Sequence, residues 1–142
     1  MRTLGIDLGN KRVGIAVSDP LGLTAQPLEV FPNNRGLIKK IREICREKEV
    51  SLIILGLPRS LSGELNDAAQ KASAFSEKLK KELGIPVELY DERFSTSIAW
   101  NNFRQTGVSQ KKGRGSIDKM AAAVILSDYL DRKRNEGNKT GI

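Results

Sequence analysis

The sequence predicts an α/β fold, with a mixed sheet of about five strands and helices on both faces. Two observations indicate this. Apolar residues alternate through the first twenty positions, as in paired strands, and later segments of helical periodicity alternate with short apolar runs. Three strands in series followed by strand-helix alternation predict antiparallel pairing among the first three strands, then right-handed crossovers into two parallel strands.

The first two strands are predicted to form a hairpin. Its alternating apolar positions are Leu4, Ile6, Leu8, Val13, Ile15 and Val17. Gly9-Asn10 supplies the turn between them. Asp7 lies within the first strand, at a position that points away from this apolar side. Since a carboxylate in a central strand is costly unless a cation or hydrogen bonds hold it, Asp7 invites a functional explanation.

A third strand is predicted from Thr24 to Phe31. Pro27 should edge or interrupt it, because proline cannot donate a ladder hydrogen bond. An amphipathic helix follows at about residues 36–48. Its apolar stripe includes the single cysteine, Cys45, which we expect in the core and not in an internal disulfide. The run Leu52–Leu55 is typical of a strand buried on both faces.

The middle of the chain continues the strand-helix alternation. Residues 56–63 form a predicted loop at the sheet edge where α/β folds place ligands. A helix over about residues 64–83 should end at Gly84, which suits a left-handed cap. The next strand, Val87 to Tyr90, brings Asp91-Glu92 to its end.

Two helices and a cationic loop complete the chain. A helix is predicted over about residues 95–104. Residues 105–116 contain three glycines, three basic residues and no acidic residue, which is typical of a flexible cationic loop. Ser116 should then cap a helix that runs from Ile117 to about Arg134.

Composition bounds the function. A chain of 142 residues suits a single domain over residues 1–134, with a frayed tail over residues 135–142. Lys and Arg number 24 against 17 Asp and Glu, and the resulting net charge of +7 favours polyanionic partners. Histidine is absent, which excludes a Ser-His-Asp triad and His-ligated zinc. Since no apolar run approaches a membrane span and no signal peptide is evident, we expect a cytoplasmic protein with no membrane partner.

Four carboxylates can meet at one edge of this sheet: Asp7, Asp91, Glu92 and Asp118. They converge if the strands that carry Asp7 and Asp91 flank the buried central strand. Clustered carboxylates repel one another unless divalent cations neutralise them. Bound Mg²⁺ or Mn²⁺ would support phosphodiester hydrolysis without histidine. Each acid also has a purely structural interpretation: Asp7 as a strand residue that accepts hydrogen bonds from the glycine-rich turn, Asp118 as a helix-dipole residue, and the strand-end acids as a solvated group with Arg93. A fifth acid, Asp19, precedes Pro20 and is expected to be a turn former.

Four ordered motifs carry a resemblance to a known family. They are Gly5-Ile-Asp-Leu-Gly-Asn-Lys-Arg-Val-Gly14 with Ser18-Asp19, Gly56-Leu-Pro58 with Gly63, Asp91-Glu-Arg-Phe-Ser-Thr96, and Asp118-Lys-Met-Ala-Ala-Ala123. Together they cover essentially the whole chain and resemble the YqgF family, to whose members nuclease action on pre-16S rRNA is ascribed. That family is related in fold to RuvC-like Holliday junction resolvases and to ribonuclease H. The resemblance implies a ribonuclease H-like sheet and a metal-dependent nuclease.

The resemblance also implies site residues. Asp7, Glu92 and Asp118 would be the catalytic residues and would hold one or two Mg²⁺ or Mn²⁺ ions. Asp91 is a further candidate ligand. Neighbouring residues on a strand face opposite ways, and a bend at the end of the strand could present either Asp91 or Glu92 to the site. Asp128, the next acid after Asp118, is more than two helical turns away, which leaves the second ion open. The candidate substrate-binding residues are Lys11, Arg12, Arg93, Lys111, Lys112 and Arg114.

The substrate and two competing functions stay open at this level. Structured or precursor rRNA, with or without ribosome association, and branched DNA both suit a basic nuclease, acting as a monomer or a weak homodimer. One competing function is a noncatalytic RNA- or ribosome-binding module that keeps the fold. The other is an actin-like phosphotransferase, which also opens on Asp-x-Gly followed by a basic turn. That enzyme needs a second related domain, for which this chain has no room.

Overall fold

The computed structural model of the chain describes residues 2–9, 11–57, 66–91 and 114–140. Within these ranges it contains five strands and three helices. In chain order they are β1 (Arg2–Leu8), β2 (Arg12–Ser18), β3 (Ala25–Pro32), α1 (Leu37–Lys48), β4 (Val50–Leu57), α2 (Asn66–Leu83), β5 (Val87–Asp91) and α3 (Arg114–Thr140). No helix in the described part is long and apolar enough to span a membrane.

The five strands form one mixed sheet in the order β3-β2-β1-β4-β5. β1 pairs antiparallel with β2, and β2 pairs antiparallel with β3. β4 is parallel to both of its neighbours, β1 and β5. The predicted mixed sheet is therefore confirmed, and β1 and β5 flank the buried strand, as convergence of the acids requires.

Helices cover both faces of the sheet, as predicted. One core lies between the sheet and helices α1 and α2, and includes Ile6, Ile53, Ile41 and Leu79. Cys45 belongs to this core, with 6% of its surface exposed, and burial raises the pKa of its thiol to about 11. The second core lies under α3 on the opposite face, and includes Ala16, Ile54, Tyr90, Ala122 and Leu126.

Pro27 and Gly84 have the structural roles that the sequence predicted. β3 is an edge strand of the described sheet, and its pairing with β2 shifts register between the Ile15–Glu29 and Ala16–Pro27 pairs. The missing N–H of Pro27 therefore falls at an irregularity in the ladder. Gly84 follows α2 with φ +68°, and its N–H donates to Lys80 O at 3.0 Å, which confirms the left-handed cap.

Helix α3 differs from its prediction at both ends. It begins at Arg114, so Arg114 lies in the helix and not in the loop, and Ser116 is its third residue instead of its cap. First-turn N–H groups have no intrahelical partner, so the helix extends there at little cost. It continues past Arg134 to Thr140, and residues 135–140 contain no proline that would end it. The predicted helix 95–104 and residues 58–63 and 105–113 of the two loops lie outside the described residues, and the division into a domain and a tail stays a prediction.

Gly5 sets the distance between β1 and α3. A Cβ atom at Gly5 would lie 2.8 Å from Leu126 Cβ and 3.2 Å from Ala122 O. Neither of these neighbours is the end of a flexible side chain, so the helix would have to move away from the strand to accept a methyl group. A glycine in β1 therefore allows a close contact that no other residue allows.

We expect Gly5→Ala to lower the free energy of unfolding by about 1–3 kcal/mol, the usual cost of overpacking. Gly36→Ala is the matched control, because its new methyl group would come no closer than 3.5 Å, to Asn34 Oδ1. The control should change stability by less than about 1 kcal/mol. Urea denaturation of both variants measures the difference. Equal stability of the two variants would contradict the tight packing of α3 on β1.

Candidate active site

Asp7 lies near the carboxyl end of β1, on the face that α3 covers. It is two residues beyond Gly5, whose missing Cβ faces α3, and residues two apart on a strand share a face. The side chain is half-buried. Its cross-strand neighbours are Gly14 on β2 and Gly56 on β4. Because both neighbours are glycines, no side chain of β2 or β4 stands beside Asp7 at this register.

Helix α3 runs antiparallel to β1. Ala122 and Leu126 pack at Gly5, in the middle of β1. Leu130, one turn further along, lies at Gly22 in the β2–β3 loop, where a methyl group would come within 3.9 Å of Leu130 Cδ2. This loop adjoins the beginning of β1, since it follows Ser18, the last residue of β2, and Val17 just before Ser18 pairs with Leu4. The amino-terminal end of α3 is therefore directed toward the carboxyl end of β1.

This direction brings the backbone of Asp118 toward the Asp7 end of the sheet. Asp118 precedes Ala122 by four residues, about 6 Å along the helix and on the same helical face. Asp7 follows Gly5 by two residues, about 7 Å along the strand. Both residues are therefore displaced from the Gly5 contact by similar lengths in the same direction.

The end of β5 lies at the same edge of the sheet. Gly56 is in register with Asp7 on one side and with Tyr90 on the other, and Asp91 pairs with Leu57. Tyr90 belongs to the core under α3. Asp91 follows Val87 by four residues, so it occupies a strand position of the same parity. Val87 belongs to the core on the opposite face of the sheet. Glu92, Arg93, Lys111 and Lys112 lie outside the described residues.

The β1–β2 turn presents two of the predicted basic residues. Lys11 is exposed, and Arg12 is half-buried as the first residue of β2. The Gly9 N–H donates to Arg12 O at 3.0 Å. Asn33, which follows β3, holds the turn from the side: its Nδ2 donates to Gly9 O at 2.8 Å, and its N–H donates to Lys11 O at 2.9 Å. Sequence reasoning missed this role of Asn33.

A polar network around the buried Tyr90 joins α3 to β5. The Tyr90 hydroxyl donates a short hydrogen bond to Asp128 Oδ2, and Arg132 Nε donates to the same oxygen at 3.2 Å. Tyr129 packs edge-on against the Tyr90 ring, with centroids 5.9 Å apart. Burial, followed by the hydrogen bond to Asp128, raises the pKa of the Tyr90 hydroxyl above its ordinary value. The Asp128 carboxylate is thus engaged by two donors and serves to fasten α3 to the sheet.

The structural interpretation of Asp19 is confirmed. Its Oδ1 accepts hydrogen bonds from Leu23 N–H at 2.7 Å and from Thr24 N–H at 2.8 Å. The hydrogen bond from Thr24, the largest contribution, helps to hold the pKa of Asp19 below its usual value. Asp19 closes the β2–β3 turn at the opposite end of β1 from Asp7. Among the side chains that the structure describes, no cluster of three or more acidic, Cys or His residues could hold a metal ion.

The sheet order and the placement of α3 define the class, a ribonuclease H-like fold. The structure resembles Thermus thermophilus RuvC in complex with a Holliday junction substrate, with a TM-score of 0.59 and 20% identity, over 94% of this chain and 96% of that one. It also resembles the fowlpox virus Holliday junction resolvase, with a TM-score of 0.54 and 14% identity, over 93% and 99% of the two chains. At these identities the likeness shows the fold alone.

Sequence comparison gives the family. A family described as "RuvX: Holliday junction resolvase" matches residues 1–132, and the chain belongs to this family, which is the YqgF family. A Geobacillus kaustophilus relative is 49% identical over 138 residues, which cover 94% of this chain and all of the relative. A Clostridium acetobutylicum relative is 39% identical over 133 residues, or 92% and 98% of the two chains. The names of both relatives assign them provisionally as pre-16S rRNA nucleases.

We expect Tyr90→Phe to cost about 1.5–3 kcal/mol of stability, as for other hydrogen bonds to a charged group. In the unfolded chain Tyr90 ionises near its ordinary pKa of 10.0, whereas the folded chain keeps it protonated to higher pH. Its contribution is therefore complete below pH 10.0 and declines as the pH rises beyond that value. Denaturant titrations of the wild type and the variant should show a difference that narrows above pH 10.0.

A double-mutant cycle with Asp128→Ala separates this hydrogen bond from other effects of the substitutions. The two changes should be clearly non-additive, because they remove the same contact. Additive losses would contradict a direct Tyr90–Asp128 hydrogen bond.

Proposed function

We propose that the chain is a metal-dependent nuclease that hydrolyses phosphodiester bonds, with Asp7, Glu92 and Asp118 as its catalytic residues. One observation carries the proposal. The packing of α3 on Gly5 directs the Asp118 backbone toward one edge of the sheet. Asp7 lies near the end of β1 at this edge, and β5 ends there beside β4. Membership of a family described by its nuclease activity supports the same conclusion.

Glu92 is the preferred third acid, for a reason of register. Tyr90 lies on the face covered by α3, and residues two apart on a strand share a face. A strand continued by one residue would give Glu92 the same face as Asp7, whereas Asp91 has the parity of the opposite core. We therefore propose Glu92 as the ligand and Asp91 as its neighbour outside the site.

The donor set fits a hard divalent cation. Asp7 offers carboxylate oxygens at a register position flanked by Gly14 and Gly56, and the chain has no histidine to favour zinc. Asp7, Glu92 and Asp118 would hold Mg²⁺ or Mn²⁺, and the ion would supply an activated water and stabilise charge on the phosphate oxygens. Since Asp128 is engaged by Tyr90 and Arg132, we do not assign it as an additional ligand.

The basic residues have a different task. An acidic centre repels a polyanion, so cations at its rim are needed to hold the substrate. Lys11 and Arg12 lie on the turn next to Asp7, and Arg114 opens the helix that carries Asp118. We assign these residues, with Arg93, Lys111 and Lys112, to the binding and orientation of backbone phosphates.

For the substrate we propose the precursor of 16S rRNA, processed at its 5′ end in the cytoplasm during ribosome biogenesis. The names of the relatives support this choice, at identities up to 49% over nearly the whole chain. Branched DNA is the second candidate, because the matching family is described as a Holliday junction resolvase. A noncatalytic RNA-binding module would keep the basic rim but would not cleave.

We expect Asp7→Asn to lower metal-dependent cleavage by about a thousandfold, equivalent to roughly 4 kcal/mol of transition-state stabilisation, because a neutral amide is a poor ligand for Mg²⁺. The replacement is isosteric, so the melting temperature should change little. Asp19→Asn is the matched control. It removes a carboxylate at the other end of β1 and should leave cleavage unchanged. Unchanged cleavage by folded Asp7→Asn would refute the site assignment.

A direct substrate comparison distinguishes the candidate functions. Precursor 16S rRNA and a four-way DNA junction are incubated with wild-type protein, with and without Mn²⁺. We expect cleavage of the rRNA only when Mn²⁺ is present. Cleavage of the junction alone would favour the resolvase function, and salt-sensitive RNA binding without any cleavage would favour the noncatalytic module.

A further inference from the structure

A strip of positive charge extends from the candidate site onto helix α1. We name Arg35, Lys39 and Lys40 the α1 strip. Arg35 and Lys39 are exposed, while Lys40 is half-buried and lies over the Phe31 ring, with Nζ 5.2 Å from the ring centroid. None of these residues belongs to the site assigned above.

The α1 strip is not neutralised by acidic residues nearby. Residues 30–42 contain no Asp or Glu, and neither do residues 8–18, which form the adjoining turn and β2. Lys39 makes no ion pair within the described part of the chain, although Glu43 lies one helical turn further on. The ion pairs described in the structure lie elsewhere: Lys80–Glu77 on α2, and Arg132–Asp128 and Arg134–Asp131 on α3. The positive charge of Arg35 and Lys39 is therefore available to an external partner.

The α1 strip and the β1–β2 turn form one continuous surface. Arg12 pairs with Pro32 at the end of β3, so this end of β3 lies at the same edge of the sheet as the turn next to Asp7. Asn33 bonds to Gly9 O and Lys11 O. Arg35 follows Asn33 by two residues and precedes α1 by two, and Lys39 lies in the first turn of α1. A path of exposed cations therefore leads from Lys11 to Lys39.

Helix stability does not account for these cations. Positive side chains in the first turn of a helix oppose its macrodipole, and α1 has no acidic residue in that turn. Lys39 and Lys40 are in that first turn, where they would slightly destabilise an isolated helix. Arg46 and Lys48, in the last turn of α1, have the stabilising placement instead.

We propose that a nucleic-acid strand bound at Asp7 continues over the β1–β2 turn and places its phosphates on the α1 strip. This inference rests on the proposed nuclease function for the position of the strand. The contacts are to phosphates, so they contribute affinity and direction without sequence preference. The α1 strip then determines on which side of the sheet the uncleaved part of the strand leaves the site.

The test compares two charge-matched variants in an Asp7→Asn background, so that the RNA stays intact. Arg35→Gln with Lys39→Gln alters the α1 strip. Lys78→Gln with Lys81→Gln removes the same charge from exposed positions on α2. Binding of a fluorescein-labelled single-stranded RNA is measured by anisotropy over a series of salt concentrations. The slope of log affinity against log salt should become shallower by about 1.4 for the first variant, because two phosphate contacts are lost, and should not change for the second.

A second series shortens the RNA one nucleotide at a time from each end. The difference between the two variants should vanish once the strand is too short to reach the α1 strip. Equal slopes for the two variants, or a difference that persists down to the shortest RNA that binds, would overturn the proposal. Because this readout is binding, it is separate from the nuclease proposal: a wild-type protein that binds RNA through the α1 strip without cleaving it would refute only the nuclease.

Discussion

The contact between Gly5 and α3 is the constraint on which the candidate site depends. A methyl group at Gly5 would lie 2.8 Å from Leu126 Cβ, so the helix packs directly on the backbone of β1. This contact fixes both the distance and the longitudinal position of α3 relative to the strand. Asp7 and Asp118 are each a few residues from it, in elements that run in opposite directions. Two acids separated by 111 positions in the sequence are thereby brought to the same end of one face.

Two other features support the proposed site: the residues beside Asp7 and the attachment of α3 to β5. Gly14 and Gly56 flank Asp7 in the sheet, so neither neighbouring strand presents a side chain beside it. In the middle of α3, the Tyr90–Asp128–Arg132 network attaches the helix to β5. Glu92, the third proposed ligand, follows β5 directly in the sequence. Glycine packing and this polar network thus hold α3 against β1 and β5, the strands that carry or precede the other proposed ligands.

Periodicity was sufficient to predict the sheet, the two layers of helices and the position of Asp7, because alternation and helical spacing report directly on burial. It could not give the Tyr90–Asp128 hydrogen bond, which joins residues 38 positions apart and leaves no local pattern. The predicted start of α3 was wrong. Ser116 is a good capping residue, but the helix begins two residues before it, at Arg114. The two glycines beside Asp7 could not be predicted either, because they become its neighbours only through the register of β1 with β2 and β4.

The central claim is that β1 and α3 bring Asp7 and Asp118 together around one cation. The most direct measurement is an anomalous difference map from crystals soaked in Mn²⁺. We predict a peak at the carboxyl end of β1, with oxygens of Asp7 and Asp118 in its first coordination shell at distances typical of a hard divalent ion. A peak bound by other residues, or an Asp118 carboxylate directed away from Asp7 in the Mn²⁺-soaked crystal, would contradict the account.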